Sequence, residues 1–303
     1  MEALHLPDNI KVHFAGAEVQ NQYIAAKALG VNYHLYTAFP FVERMVFGKG
    51  KSPIMPLRWQ KNPAFDIPQN VIRHNLHVIQ DSGLFTLMFG SRKGTKDEAL
   101  VNRWYDALVE YTLANAAGAT CVEVDCQKIL SPAKAWEFRE RMRRDLPNNR
   151  IINVFHLEDG REGLDRIIEF SDYIAISVPE LRVHHKKEYV PQLARYIKSR
   201  KPAIDIHLLG CTELALLHEC RFCTSADSTT YVAGKRFGYI QGAHISRLKS
   251  EAVRQLVGGG IYDHVREYNS PMNTNFLLTN IERLKADYTK HAGNQDFVIY
   301  EKD

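Results

Sequence analysis

The sequence predicts an α/β protein, a (β/α)8 or TIM barrel, on three observations. Short apolar runs rich in strand formers alternate with helix-like stretches along the chain. Several of the runs are almost wholly apolar, as strands buried on both faces are. Eight of them can be counted, the number that closes a parallel barrel. A doubly wound open sheet is the competing architecture, but no GxGxxG follows the first run.

The first strand is expected at KVHFAG (11–16) and the second at YHLYT (33–37). The stretch 38–76 then breaks the rhythm. It is rich in proline, lysine and aromatic residues and reads as an insertion over one end of the barrel. The third strand, HVIQDSG (77–83), leads to a helix over 96–117, whose apolar residues recur at helical spacing. The fourth, CVEVDC (121–126), precedes a helix over 131–146. Ser131 caps that helix and Pro132 occupies its first turn, where a missing N–H costs nothing. IINVFHLE (151–158) and YIAIS (173–177) are the fifth and sixth strands. A helix over 189–200, kinked or delayed by Pro191, leads to IDIHLLG (204–210) and FCTSADS (222–228). After about residue 244 the tail reads as helices, broken at Gly258-Gly259-Gly260. The expected organisation is one domain over 1–303, with the barrel at about 10–243 and C-terminal helices at about 244–303.

Composition narrows the function class. With 45% hydrophobic and 24% charged residues, the 303-residue chain has the balance of a soluble globular protein. No apolar run approaches the roughly 18–20 residues that span a bilayer, so no membrane association is expected. MEALHLPDNIK has no basic region followed by an apolar core, so no signal peptide is expected. Five cysteines, an odd number, do not suggest a disulfide framework, and a cytoplasmic location is the simplest expectation. The net charge of +4 permits a polyanionic partner without demanding one. Nothing in the composition addresses the oligomeric state.

Four expected strands end in acid: the third at Asp81, the fourth at Asp125, the fifth at Glu158 and Asp159, and the eighth at Asp227. In a parallel barrel all these ends lie on the face that carries active sites. One acid there is commonly a turn former or a helix cap. Four together repel one another and raise one another's pKa, so the cluster points to acid/base, nucleophilic or metal chemistry. The metal reading lacks a ligand set. His156 and His207 lie on strands, but alternate strand residues face opposite ways, and a lone strand histidine is more often a core residue. Cys220 and Cys223, with His218 nearby, make at most half of a zinc site. There is no GxSxG elbow and no GxxxxGK[ST] loop.

DSGLF (81–85) at a strand end resembles the DSGGFQ motif of the tRNA-guanine transglycosylases. VEVDC (122–126) resembles their FDEC strand. VFHLEDG (154–160) sits where that family has GIVQG, and YIAISVPE (173–180) resembles YAIGGLAVGE. The stretch from His207 to Gly238, with SADST around Asp227, resembles the segment that carries the family's nucleophilic aspartate. Order and spacing hold over about 70–240. The family's zinc motif is absent, since no cysteine follows Cys223. A zinc-less relative with SADST at the nucleophile resembles the phage DpdA family, the DNA-guanine transglycosylases that place 7-deazaguanine bases in DNA.

That resemblance implies roles. Asp227 would form a covalent sugar–enzyme intermediate, and Asp81 would be the general acid/base. Asp125 would accept hydrogen bonds from the guanine. Ser82, Gly83 and Phe85 would border the base, with Gly83 allowing its close approach. His156 and Glu158 stand in the family's glutamine region. Ser177, Val178 and Gly210 lie where backbone contacts to the base are made, although simple strand packing explains Ser177 and Val178 equally well. Lys235 and Arg236 in GKRFG would contact phosphates. RVHHKKEY (182–189) and GKGKSPIMPLRWQK (48–61) add positive charge, while RERMRRDLPNNR (139–150) reads as including a solvated helix face. The expected partners are DNA, with its target guanosine flipped out, and a free 7-deazaguanine base such as preQ0. No metal or other cofactor is expected. The alternatives are a tRNA-guanine transglycosylase, a non-catalytic nucleic-acid-binding paralogue and, more remotely, a small-nucleoside hydrolase.

Overall fold

The computed structural model describes residues 10–19, 22–23, 33–48, 78–89, 97–211, 213–229, 239–240 and 243–244. Eight parallel strands close into a barrel: β1 (Lys11–Ala15), β2 (His34–Thr37), β3 (Val78–Asp81), β4 (Thr120–Val122), β5 (Arg150–Phe155), β6 (Tyr173–Ser177), β7 (Asp205–Leu209) and β8 (Ser225–Ser228). They pair in chain order. The ring shuts where β1 meets β8 in the register Val12↔Ala226 and His13↔Asp227. The chain is a (β/α)8 barrel.

The two-residue period of a strand decides what faces the axis. Ile79, Ile152, Val154, Tyr173 and Ala175 join Ala15, Leu35 and Val122 in one small apolar cluster. The alternate residues face outward. Val78 and Cys121 pack beneath helices on one side of the ring, and Ile174, Ile176, Ile206, Leu208 and Ala226 do so on the other.

Helix α1 (Phe39–Phe47) follows β2, α2 (Leu84–Phe89) and α3 (Glu98–Asn115) follow β3, and α4 (Pro132–Asp145) follows β4. Helix α5 (Gly160–Phe170) follows β5, α6 (Val178–Val183) and α7 (Val190–Arg200) follow β6, and α8 (Leu214–Glu219) follows β7. Their N-termini obey local chemistry. Asp97 accepts from the Leu100 N–H at 2.9 Å to cap α3, and Ser131 accepts from Lys134 at 3.2 Å to cap α4. Pro191 neither kinks nor delays α7. It stands in the first turn, where its missing N–H has no partner to lose. Helix α3 buries Leu100, Val101, Trp104, Leu108, Tyr111 and Thr112 at helical spacing.

Several boundaries differ from the sequence expectation. Part of the expected insertion is helix α1, which packs on α3, and residues 49–77 lie outside the described residues. β4 ends at Val122, so Asp125 stands on the loop beyond it. β5 ends at Phe155, and Leu157–Asp159 form a single 3-10 turn. A turn at 220–223 precedes β8, which starts at Ser225. Tyr239–Ile240 and Ala243–His244 pair as an antiparallel ladder, and the expected C-terminal helices lie outside the described residues.

Arg139 departs from the solvated face expected of 139–150. It is 3% exposed, and its Nε lies 3.0 Å from both oxygens of Glu123. Asn153 and the Val154 N–H also donate to Glu123, and Arg139 donates to the Val154 carbonyl. This buried pair, with its lone pairs satisfied, ties α4 to the β4–β5 edge. Among the described residues, no helix is long and apolar enough to cross a membrane.

Candidate active site

A cleft of about 1330 Å³ opens at the C-terminal ends of the strands. Its lining includes the apolar residues Leu35, Val122, Val154 and Leu209, together with Asp81, Asp125 and Asp227. Strand alternation brings two of these acids there. Asp81 stands two residues after Ile79, and Asp227 two after Ser225, so both share the axial face. Asp125 arrives by its loop. Three of the acids expected from the sequence therefore converge.

Asp81 Oδ2 accepts from the Gly83 N–H at 3.0 Å, closing a tight turn. Burial pushes its carboxyl up, and nearby Asp227 and Asp125 push the same way. Hydrogen bonds from Gly83 and Thr37 oppose them, and the balance lies at about 6. Such a group gives and takes a proton near neutrality.

Asp227 is 8% exposed. Its Oδ1 accepts from the Gly210 N–H at 3.0 Å and lies 3.1 Å from His207 Nε2. Gly210 has φ of +62°, and a Cβ there would meet Pro179 Cγ at 2.7 Å, so glycine is needed to aim this N–H.

Asp125 Oδ1 lies 2.8 Å from His156 Nε2, and His156 Nδ1 lies 2.8 Å from Glu180 Oε2. Burial alone would lower the imidazole pKa. The hydrogen bonds to Asp125 and Glu180 outweigh it and raise the value to about 10, so His156 is an imidazolium at neutral pH. Glu180 is held below the usual carboxylate range. Burial raises it, but His156 and then Lys128 lower it further. Lys128 bridges Glu180 at 3.1 Å and Glu158 at 2.9 Å. One wall of the cleft is thus a chain of alternating charge running from Asp125 to the surface.

The remaining expected residues divide. Phe85 borders the cleft with 64% of its surface exposed. Ser82 is buried at the edge, and its carbonyl accepts from Trp104. Ser177 lines the cleft while its hydroxyl accepts from the Glu180 N–H at 3.4 Å. Gly83 has a structural demand of its own. Its φ is +75°, and a Cβ there would lie 2.7 Å from the backbone of Phe39, so the glycine admits α1. Glu158 does not line the cleft and pairs with Lys128, which does. Asp159 takes a structural place, accepting from the His156 N–H and from Gln127. Val178 is fully buried among outer core residues. Lys235 and Arg236 lie outside the described residues.

Sequence reasoning did not place Glu180, Lys128 or His207 in the site. His207 stands two residues before the cleft residue Leu209, and that spacing was the available signal. Cys220 and Cys223 are free and buried, and the Cys223 N–H donates to the Cys220 carbonyl at 2.7 Å. Among the described residues, no group of three or more His, Cys, Asp or Glu is arranged to hold a metal ion.

No family model matches the chain, and no curated protein matches it. Among solved structures it is similar to one described as "QR15, an Aldolase", with 12% identity, covering 73% of this chain and 91% of that one, at a TM-score of 0.42. That level of likeness carries no argument about chemistry. Closed strand pairing and convergent carboxylates together make the chain a (β/α)8 barrel with an acidic cleft on the face where such barrels hold their active sites.

Proposed function

We propose that the protein is a DNA-guanine transglycosylase, exchanging a guanine in DNA for a 7-deazaguanine base. The observation that carries the reading is the pairing of roles in one cleft. Asp81 titrates at about 6, and Asp227 is held at one oxygen by the Gly210 N–H and the His207 imidazole. Breaking an N-glycosidic bond builds positive charge on the sugar, which a nearby carboxylate stabilises and then captures.

In this reading a carboxylate oxygen of Asp227 bonds to C1′ as the bond from C1′ to guanine N9 breaks. Asp81 gives its proton to the departing base. The incoming 7-deazaguanine then loses its N9 proton to Asp81. Its nitrogen bonds to C1′, and the bond to Asp227 breaks, which restores both carboxyl groups. Asp125, fixed by His156, accepts from the base N–H groups. Adenine in its place would leave that carboxylate short of donors, a costly mismatch in a buried site. Phe85 offers a stacking face at the mouth. The choice of DNA over tRNA rests on the SADST motif and the absence of cysteine after Cys223. A guanine in a duplex must flip out to reach the cleft, at a cost of a few kcal/mol.

The test is incubation with labelled guanine or a 7-deazaguanine and either DNA or tRNA, followed by nucleoside analysis. Label in DNA that depends on Asp227, with loss of exchange in Asp227→Asn, is the expected result. Label in tRNA alone replaces the DNA reading with the tRNA one. Label in neither overturns base exchange.

A further inference from the structure

A second hydrogen-bonded chain descends from the cleft into the barrel. His207 is wholly buried on β7. Its Nε2 lies 3.1 Å from Asp227 Oδ1, and its Nδ1 lies 2.5 Å from Ser225 Oγ. Ser225 Oγ in turn lies 2.5 Å from the Tyr173 hydroxyl. Parallel register places His207 beside Ser225, so the imidazole reaches its own cross-strand neighbour and the next inward residue, Asp227. His13 and Tyr173 enclose the imidazole edge-on, with centroids 6.2 and 6.4 Å away.

Proton counting gives this chain a direction. A phenol and a serine hydroxyl each carry one proton, and a neutral imidazole carries one. Burial pushes the Tyr173 hydroxyl up to about 12, so it keeps its proton. With a singly protonated imidazole, Tyr173 donates to Ser225, Ser225 donates to His207 Nδ1, and the imidazole proton sits on Nε2, facing Asp227. Reversal at Ser225 would require either Asp227 to donate to Nε2, with the Gly210 N–H on the same oxygen, or an imidazolium protonated at both nitrogens, and in each case Nδ1 carries a proton.

We infer that His207 is a positioning residue for Asp227: Tyr173 and Ser225 lock it as the Nε2–H tautomer, and it then acts with the Gly210 N–H to anchor the Asp227 side chain at Oδ1. This leaves Oδ2 as the oxygen that attacks. The inference rests on the proposed base exchange for its catalytic meaning, but its structural content can be read without substrate.

Two measurements on the full chain test it. The first is nitrogen-15 NMR of the thirteen histidines, with the His207 signals assigned by their loss in His207→Gln. The expected state is protonated Nε2 and bare Nδ1. A proton on Nδ1 overturns the inference. The second is steady-state exchange. His207→Phe, which removes the donor, is expected to lower kcat about 100-fold with KM changed less than about threefold. His207→Gln, whose amide restores an N–H, is expected to recover at least about tenfold of that loss. An unchanged kcat in His207→Phe, or no difference between the two variants, reduces His207 to packing. A wild-type chain that exchanges no base in DNA or tRNA counts against the proposed function, and the tautomer still decides the inference.

Discussion

His156 Nε2 lies 2.8 Å from Asp125 Oδ1, and both side chains line the same cleft. The imidazole is pinned on its other side by Glu180, so Asp125 has one oxygen committed to a cation and is fixed in rotation. A carboxylate free to turn would read a heterocycle poorly. This one is preorganised, and the ordering is complete before any ligand arrives.

The pair has a signature in stability. The His156 pKa rises from 6.5 to about 10 on folding. A raised folded-state value contributes stability that is fully present below about pH 6.5 and is lost as pH rises through about 10. The advantage of the wild type over His156→Gln in urea unfolding is therefore expected to shrink steadily across that window. A pH-independent difference would mean that the imidazole is neutral in the fold.

Asp81 obeys the same rule with a different consequence. Its pKa rises from 3.8 to about 6, so the fold loses stability as pH climbs through that range and the buried carboxyl must ionise. Asp81→Asn keeps an acceptor for the Gly83 N–H and never ionises. It is expected to be more stable than the wild type at pH 8, by on the order of 2 kcal/mol, and no more stable at pH 3. The same variant is expected to lose base exchange by at least about 100-fold. A loss of stability at pH 8 would make Asp81 a turn former first.

The Glu123–Arg139 pair supports the site from behind, since Glu123 stands two residues before Asp125. Removing one partner leaves a buried charge alone. Arg139→Met is expected to cost about 3–5 kcal/mol in denaturant unfolding. Adding Glu123→Gln to it is expected to return part of that loss, because the stranded carboxylate is removed. A cost below about 1 kcal/mol for Arg139→Met would show the pair to be solvated.

Nucleic-acid binding can be read through salt. If Lys235 and Arg236 neutralise phosphates, replacing either by alanine is expected to reduce the log–log salt slope of DNA affinity by about one. The weakening is expected to be uniform across sequences, because phosphate contacts position without specifying. Asp125→Ala is expected to keep the slope and lose discrimination for guanine. Identical slopes in the wild type and both basic-residue variants would leave GKRFG without a phosphate role.

The barrel was legible in the sequence because its causes are local. Eight runs of strand formers, with helical patterns and caps between them, carry the alternation that a closed parallel sheet needs. The two-residue period then places Asp81 with Ile79 and Asp227 with Ser225 on the axial face, whatever the rest of the chain does. Asp125, Ser177 and Phe85 were also recognisable at the rim.

What touches what was decided only by closure of the barrel and the paths of its loops. His207 reaches Asp227 because β7 and β8 are neighbours in one particular register. Glu180 and Asp125 meet across His156 although they are far apart in sequence. Glu158 looked equivalent to Asp81 as a strand-end acid, yet it stands on a 3-10 turn and pairs with Lys128 at the cleft wall without lining the cleft itself. The need for glycine at Gly83 comes in the structure from the backbone of Phe39, which lies 2.7 Å from where a Cβ would be. Arg139 looked solvated within a run of charges, and only the burial of Glu123 beneath α4 calls it inward. Period and propensity act over a few residues. Hydrogen-bond partners and burial are set by segments that meet only once the ring has shut.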